Sequence, residues 1–440
     1  MTERSERGGS HRDDRGGRGY RGGSGGGDRG YRGGSGGDRG GGGRGGDRGY
    51  RGGDRGYRDG ERGRSRRVYD DEPRDGLLAD LVGHLHALDG RSYAAYKAIV
   101  GRYRAPAGWF LHVDRVQADP YAPPTRIHVD VPTDLHGLEL LDEADLLADA
   151  DRRLAVGDFL TRELHAGFRG TALSIASPGQ EILQRSSIIV RPDEKKEGPG
   201  WVLEIRARLA LPAQGRSIQG HEASRIVGRD LVRELEEAMD LTGERGDRLV
   251  RHIATLEDHR ALTATVARNG WVSFLADGSV LPRRSGVSDE PLDGGVPLEA
   301  PDSMAATVEL PHAGTVRGTV VEAGVNVIVG GGYHGKSTLL SAIERGVYPH
   351  VPGDGRELVA TVPDAVKVRA ADGRAVTGVD LTPFISHLPA GRDTASFTTR
   401  NASGSTSQAA SIIEAVEAGS TALLLDEDTS ATNLLIRDSR

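Results

Sequence analysis

Residues 330 to 338 carry the most specific chemical pattern in this 440-residue chain. The nine positions are Gly330, Gly331, Gly332, Tyr333, His334, Gly335, Lys336, Ser337 and Thr338. They spell glycine, four residues, then Gly-Lys-Ser, and glycines let the backbone turn its N–H groups inward around phosphate oxygens. Lys336 is placed to reach the β- and γ-phosphates of a nucleotide, and the Ser337 hydroxyl to bind Mg²⁺. The pattern therefore predicts a nucleotide site.

The segments on either side of this loop support that interpretation. Val325–Val329 has the composition of a short buried strand, and Thr338–Glu344 that of the helix that follows it. The alternative is an ordinary turn in a chain with 64 glycines. Strand, loop and helix in this order favour a phosphate loop, whose helix N-terminus attracts anions.

A second acidic element follows further along the chain. Thr421–Leu425 is apolar and leads directly into Asp426 and Glu427. A buried strand would deliver Asp426 to the metal side of the phosphates, where its carboxylate can hold Mg²⁺. Glu427 is then placed to polarise an attacking water as general base. A strand that ends in acids is common by itself, but downstream of a phosphate loop it indicates a catalytic role.

A third element, Asn401–Gln408, places a turn rich in hydroxyl groups and glycine at the start of a predicted helix. Here the chain resembles the ABC class of ATPases, in which a signature turn opens the helix ahead of the acidic strand. Ser403 lies 23 residues before Asp426, a separation typical of that class. Thr429–Asn433 stands where such proteins carry their D-loop.

Longer motifs sharpen the resemblance. Gly353–Glu357 and the segment Val113–Arg126 resemble a soluble family described as predicted ATPases of the ABC class, and the similarity covers about residues 76–440. It implies a homodimer in which each phosphate loop is closed by the partner's signature turn around ATP and Mg²⁺. The residues it implies for contact in trans are Ser403, Gly404, Ser405 and Gln408.

Three departures from the family's pattern stand out. No glutamine occurs between Ser337 and Gln408, and no Phe, Tyr or Trp between residues 305 and 332 is available to stack on adenine. The chain also ends 14 residues after Asp426, whereas family members continue. We therefore expect an ATPase domain that is truncated at its C-terminus.

The predicted fold is an α/β P-loop NTPase domain of ABC type at residues 304–440, preceded by an α+β domain at 68–303 and a disordered tail at 1–67. Apolar spacing predicts helices over Leu77–Leu88, Tyr93–Val100, Glu143–Leu154, Val156–Ala166, Glu222–Met239, Gly246–Val266 and Ser407–Ala418. Strands are expected over Phe110–Asp114, Arg126–Val131, Ser187–Val190, Trp201–Leu209, Glu357–Thr361, Ala365–Val368 and Thr394–Thr399.

The tail has its own chemistry. Residues 1–67 hold 18 Arg and 10 acids, a balance of +8 against −7 for the whole chain, and they contain no Phe, Trp, Leu, Ile or Val. Such a segment has nothing with which to form a core. Its Arg-Gly-Gly units alternate with tyrosines, a composition that suits RNA phosphates and unpaired bases. RNA is the predicted partner, and a solubilising tail is the alternative.

Other site types find little support. The chain has no cysteine, and His112, His128 and His136 lack a metal-binding helix spacing, so they are interpreted as ordinary surface or packed histidines. No apolar run reaches 18 residues, which predicts a cytoplasmic protein without a membrane span.

Two functions remain. The first is a soluble ATPase that hydrolyses ATP at a dimer interface and acts with RNA. The alternative is an RNA-binding, condensate-forming protein whose truncated nucleotide domain binds ATP without turnover. The nucleotide-binding subunit of a transporter fits poorly with the long N-terminal domain and the Arg/Gly-rich tail.

Overall fold

The computed structural model describes residues 74–194, 196, 200–388, 391 and 393–435. The tail predicted at 1–67 lies outside these residues. The described residues form the helices α1 (Leu78–Ala87), α2 (Glu139–Glu143), α3 (Ala150–Gly167), α4 (Gly220–Arg225), α5 (Leu231–Met239), α6 (Glu244–Arg268), α7 (Lys336–Arg345) and α8 (Gly404–Glu417). One π-helical turn, Ile226–Asp230, joins α4 to α5, and 3₁₀ turns cover Tyr93–Ile99, Asp302–Met304 and Glu427–Thr429.

The strands lie in two main sheets and several short pairs. Those of the first half are β1 (Arg74–Leu77), β2 (Gly101–Arg104), β3 (Phe110–Arg115), β4 (Thr125–Pro132), β5 (Leu173–Ser174), β6 (Ile188–Pro192), β7 (Trp201–Leu209), β8 (Ala213–Gln214) and β9 (Ser217–Ile218). Those of the second half are β10 (Trp271–Ala276), β11 (Arg283–Ser285), β12 (Ser288–Pro291), β13 (Ala305–Leu310), β14 (Gly314–Glu322), β15 (Val359–Thr361), β16 (Val366–Val368), β17 (Val376–Val379), β18 (Phe397–Thr399) and β19 (Leu423–Leu425).

The larger sheet has the order β1-β2-β3-β4-β7-β5, with β6 also paired to β7. Its central strands alternate in burial: Ile127, Val129 and Val131 of β4 are buried, whereas the side chains between them are partly or fully exposed. The buried face packs on α3, which in turn contacts α5 and α6. The strands β2, β3, β4 and β7 pair in antiparallel fashion, whereas β1 pairs with β2 in parallel. A largely antiparallel sheet can bury one face in a core and leave the other to solvent.

Two helices were predicted at 143–154 and 156–166, and the break predicted between them was wrong. The structure has the short α2 and then one continuous helix, α3, that begins at Ala150. The side chain of Asp149 accepts a hydrogen bond of 2.8 Å from the backbone N–H of Arg152. This N-cap satisfies a backbone donor at the helix start and fixes the beginning of α3 at that point.

A second sheet, with the order β13-β14-β10-β15, lies beside α7. β10 precedes the predicted domain boundary at residues 303 and 304, yet it pairs with β14 and β15, which follow that boundary. Leu275 of β10, Ile343 of α7 and Val359 of β15 share one apolar cluster. The second sheet therefore contains strands from both sides of the predicted boundary. The division into two domains at this boundary stays a prediction.

The strand predicted at Val325–Val329 is not formed. The segment has no regular structure, and Val325, Val327 and Val329 are 96%, 74% and 83% exposed. A strand needs a neighbour for its backbone N–H and C=O groups. No described strand pairs with this segment. Asn326, Val327 and Ile328 instead line a cavity that Thr421–Glu427 also line.

The strand predicted ahead of Asp426 is confirmed as β19, which pairs with β16 in parallel. Leu424 of β19 is buried against the cluster that contains Leu340 of α7. Among the described residues, no helix is long and apolar enough to cross a membrane.

Candidate nucleotide-binding site

The loop at 330–335 ends where α7 begins, with Gly335 as the N-cap residue at φ 79°. Tyr333 also has a positive φ, 62°, and its side chain is fully exposed. A left-handed backbone is unfavourable for a bulky residue outside a tight turn, so Tyr333 is strained. Together the two residues reverse the chain directly in front of the helix N-terminus, where free N–H groups and the helix dipole favour an anion.

Lys336 is the first residue of α7 and is half-buried. Its ammonium donates hydrogen bonds to the carbonyl oxygens of Gly330 and Gly331 at 2.8 and 3.0 Å. The lysine thus folds back over the loop and holds its shape.

Lys336, Asp426 and Glu427 line one cavity of about 540 Å³. Its walls are the segment after β14, one side of α7, and the residues from Thr421 through β19. Asp426 follows β19 directly, and the 3₁₀ turn that begins at Glu427 bends the chain away from the strand. Lys336, Asp426 and Glu427, which were predicted from sequence spacing, thus lie at a common cavity. Their roles in nucleotide binding and catalysis stay predictions.

The C-terminal end of α7 is held by contacts that sequence reasoning did not identify. Thr361 of β15 donates a hydrogen bond of 2.7 Å from its hydroxyl to the carbonyl of Ile343. His259 of α6 lies 3.2 Å from the carbonyl oxygen of Gly346. A Cβ atom on Gly346 would lie 2.8 Å from the Thr361 hydroxyl oxygen, so the close approach of helix and strand requires glycine there.

The motif Gly353–Glu357 follows α7 and contributes contacts that hold the chain just after this helix. Asp354 is buried, receives a hydrogen bond of 2.7 Å from Arg283 and lies 2.8 Å from His350. Burial would raise the pKa of Asp354, but His350 and Arg283 outweigh it and hold the pKa below its ordinary value. The carboxylate therefore stays charged and fixes the chain that leaves α7. The sequence offered the motif as a family signature but no role for it.

Ser403 is the N-cap residue of α8, and its hydroxyl lies 3.0 Å from that of Thr406. Ser403 is exposed, and Gly404 and Ser405 are half-buried. None of the signature residues appears among the described residues that line the cavity of Lys336. Within one chain, the structure does not bring the signature turn and the phosphate loop together.

Gln408 has partners of its own. It is fully buried, donates a hydrogen bond of 3.1 Å to the Ser430 hydroxyl and accepts one of 2.6 Å from the N–H of Ala431. The amide therefore ties α8 to the segment that follows Glu427. A contact of Gln408 with a nucleotide in trans stays a prediction.

Comparisons with known proteins agree with this geometry. A family model described as the P-loop domain of ABC ATPases matches residues 245–440. A second model, described as the N-terminal part of ATPases of the ABC class, matches residues 78–241. Over 199 residues the chain is 30% identical to an uncharacterized protein of Methanocaldococcus jannaschii, a match that spans 43% of this chain and 44% of that relative. The two models follow one another along the chain, which belongs to the family of ATPases of the ABC class.

Proposed function

We propose that this protein binds and hydrolyses ATP at a site shared by two copies of the chain, and that it acts with RNA. The observation that carries the proposal is the common cavity of Lys336, Asp426 and Glu427 beside the N-terminus of α7. A cation and helix N–H groups suit the phosphates, and two carboxylates suit a metal ion and a water molecule.

The side chains of Ser337 and Asp426 have the oxygen atoms that could bind Mg²⁺. The Ser337 hydroxyl lies exposed in the first turn of α7, and Asp426 lines the cavity. Mg²⁺ prefers such oxygen ligands, and a bound ion would neutralise charge on the phosphates. Glu427, one residue further on, is exposed and free to accept a proton from water.

The arrangement of the signature turn supports a shared site. Ser403 is exposed at the start of a 14-residue helix, and the turn is outside the cavity of its own chain. A second copy facing head to tail would bring a helix N-terminus and hydroxyl groups to the γ-phosphate. Closure of the pair would then depend on ATP.

The proposed RNA partner rests on residues 1–67, with their 18 arginines. RNA affinity of the full chain should fall when this segment is deleted, and should fall with salt as phosphate contacts are screened. The comparison is fluorescence anisotropy with a single-stranded RNA. Equal affinity with and without the segment would make it a solubilising tail only.

The test of hydrolysis is phosphate release by the wild type and by Glu427→Gln. We expect the variant to release phosphate about 10²- to 10⁴-fold more slowly, since it lacks the general base, while fluorescent ATP binds both proteins equally. Equal rates of phosphate release by the two proteins would show that Glu427 is not the general base. Lys336→Ala should weaken ATP binding itself.

A second candidate, ATP binding without turnover, is favoured by one observation. The segment 325–329 ahead of the loop is exposed and has no strand partner among the described residues, so a sheet does not anchor the loop on that side. ATP binding with no phosphate release by the wild type, alone or with RNA, would support it.

A further inference from the structure

Two histidines meet on the solvent face of the larger sheet, far along the chain from the nucleotide site. His112 of β3 and His128 of β4 stand directly opposite one another in the strand register. Their rings stack with centroids 4.0 Å apart and an angle of 12° between the ring planes. The spacing of the two histidines in the sequence does not indicate this contact, because it depends on how β3 and β4 pair.

Asp130 completes a group of three. It lies on the same face as His128, two residues further along β4, and one possible ligand atom from each of His112, His128 and Asp130 lies within 4.8 Å of the others. Ligands of a tetrahedral Zn²⁺, with bonds of about 2.0–2.1 Å, lie about 3.4 Å from one another. Small side-chain rotations would therefore close the three atoms around an ion.

The Nε2 atom of His112 is buried and makes no hydrogen bond to the described part of the chain. It lies 3.5 Å from Oδ2 of Asp130, which is longer than a well-formed hydrogen bond. A buried polar atom without a partner costs free energy. An ion at this place would give the nitrogen a partner.

His128 is already oriented for coordination. Its Nδ1 lies 2.9 Å from the carboxylate of Asp114. With the proton held at Nδ1 by this contact, the lone pair is left on Nε2. A carboxylate that fixes the tautomer of a histidine in this way is typical of metal sites.

The neighbouring arginines are occupied by other groups. The guanidinium of Arg102, opposite His112, lies 3.8 Å from the Phe110 ring centroid. Arg206, opposite His128, pairs with Glu204. Arg191 donates to Oδ1 of Asp130 at 2.8 Å, and the other carboxylate oxygen faces His112. The face thus keeps one carboxylate oxygen and two imidazoles directed at a common space.

We propose that His112, His128 and Asp130 bind one Zn²⁺ ion, with Asp114 orienting His128. Two imidazoles and a carboxylate are the ligand types that zinc accepts, and water takes the fourth position. The site is independent of ATP. It ties β3 to β4 at the open face of the sheet.

The test is isothermal titration calorimetry, in which ZnCl₂ is titrated into the untagged full-length chain. The protein is first stripped of metal with EDTA and contains no nucleotide. The buffer contains excess Mg²⁺, which occupies sites built of oxygen ligands alone. We expect one Zn²⁺ per chain with micromolar or tighter affinity. His112→Gln and Asp130→Asn should each weaken binding at least tenfold. His136→Gln is the matched control, because His136 is 97% exposed and pairs only with Glu139 among the described residues.

Co²⁺ in place of Zn²⁺ gives a second readout, since tetrahedral coordination produces a strong visible absorption. This band should appear with the wild type and with His136→Gln, and be lost with His112→Gln. Urea unfolding without metal checks that each variant is folded. Zinc affinity unchanged in folded His112→Gln or Asp130→Asn, or no zinc binding by the wild type, would overturn the proposal.

Discussion

Arg345, the last residue of α7, donates a hydrogen bond of 2.8 Å to the carboxylate of Glu181. Glu181 belongs to the first half of the chain, and its backbone forms a bridge with His350 just beyond α7. The helix that starts at the phosphate loop is therefore held at its other end by a residue more than 160 positions earlier. A cation at a helix C-terminus also interacts favourably with the helix dipole.

Glu181→Gln should lower the free energy of unfolding by about 1 kcal/mol, because Arg345 loses its charged partner but is partly exposed and so partly screened. Glu139→Gln, at an exposed pair with His136, should leave the free energy of unfolding nearly unchanged. Urea denaturation of the two variants measures the difference. Equal stabilities would show that the pair at Glu181 does not hold α7.

Replacing Asp158 should lower the free energy of unfolding more than replacing Glu181, because the Asp158 carboxylate, on α3, is fully buried. It accepts hydrogen bonds from Arg162 at 2.7 Å and from Arg185, and lies 3.2 Å from Nε2 of His252. Asp158→Asn leaves two cations without their counter-charge, and we expect a loss of about 3 kcal/mol or more.

The matched control for Asp158 is Asp151→Asn, on the same helix. Asp151 pairs with Arg260 at 3.2 Å, and both side chains are nearly half exposed. This change should cost no more than about 0.5 kcal/mol. Urea midpoints that fall equally for the two variants would contradict the central role of Asp158.

Stability should fall in mild acid. Burial lowers the pKa of His259 from 6.5 to about 4, and that of His252 to about 3. The native state excludes the proton that the unfolded chain binds, so stability is fully present above pH 6.5 and is lost as the pH falls from there toward about 4.

The check is urea unfolding of wild type and His259→Gln between pH 7.5 and 5. The variant lacks one of these protons, so its stability should decline less steeply with falling pH, by up to about 1.4 kcal/mol per pH unit. Parallel curves for the two proteins would mean that His259 takes up its proton in the folded state as well.

The sequence predicted well what local patterns determine. The strand β19 was predicted from its apolar run, because that signal lies within a few neighbouring residues. Local spacing also singled out Lys336 and Asp426, which line one cavity, and their roles there stay predictions. Val325–Val329 has the composition of a strand, but no strand of the described part of the chain pairs with it, and composition does not reveal this. Contacts such as that of Arg345 with Glu181 depend on how distant segments pack, and no local pattern indicates them.

Gln408 offers a test of how α8 is coupled to the segment after Glu427. Gln408→Leu keeps the volume but removes the acceptor for the Ala431 N–H and the donor to Ser430. We expect a local loss of about 1 kcal/mol, so that the Ala431 amide exchanges hydrogen about fivefold faster. Ser411→Ala removes a hydroxyl that donates to the Ser407 carbonyl within α8, and it should leave that exchange unchanged. Unaltered exchange at Ala431 in Gln408→Leu would show that other contacts hold this segment in place.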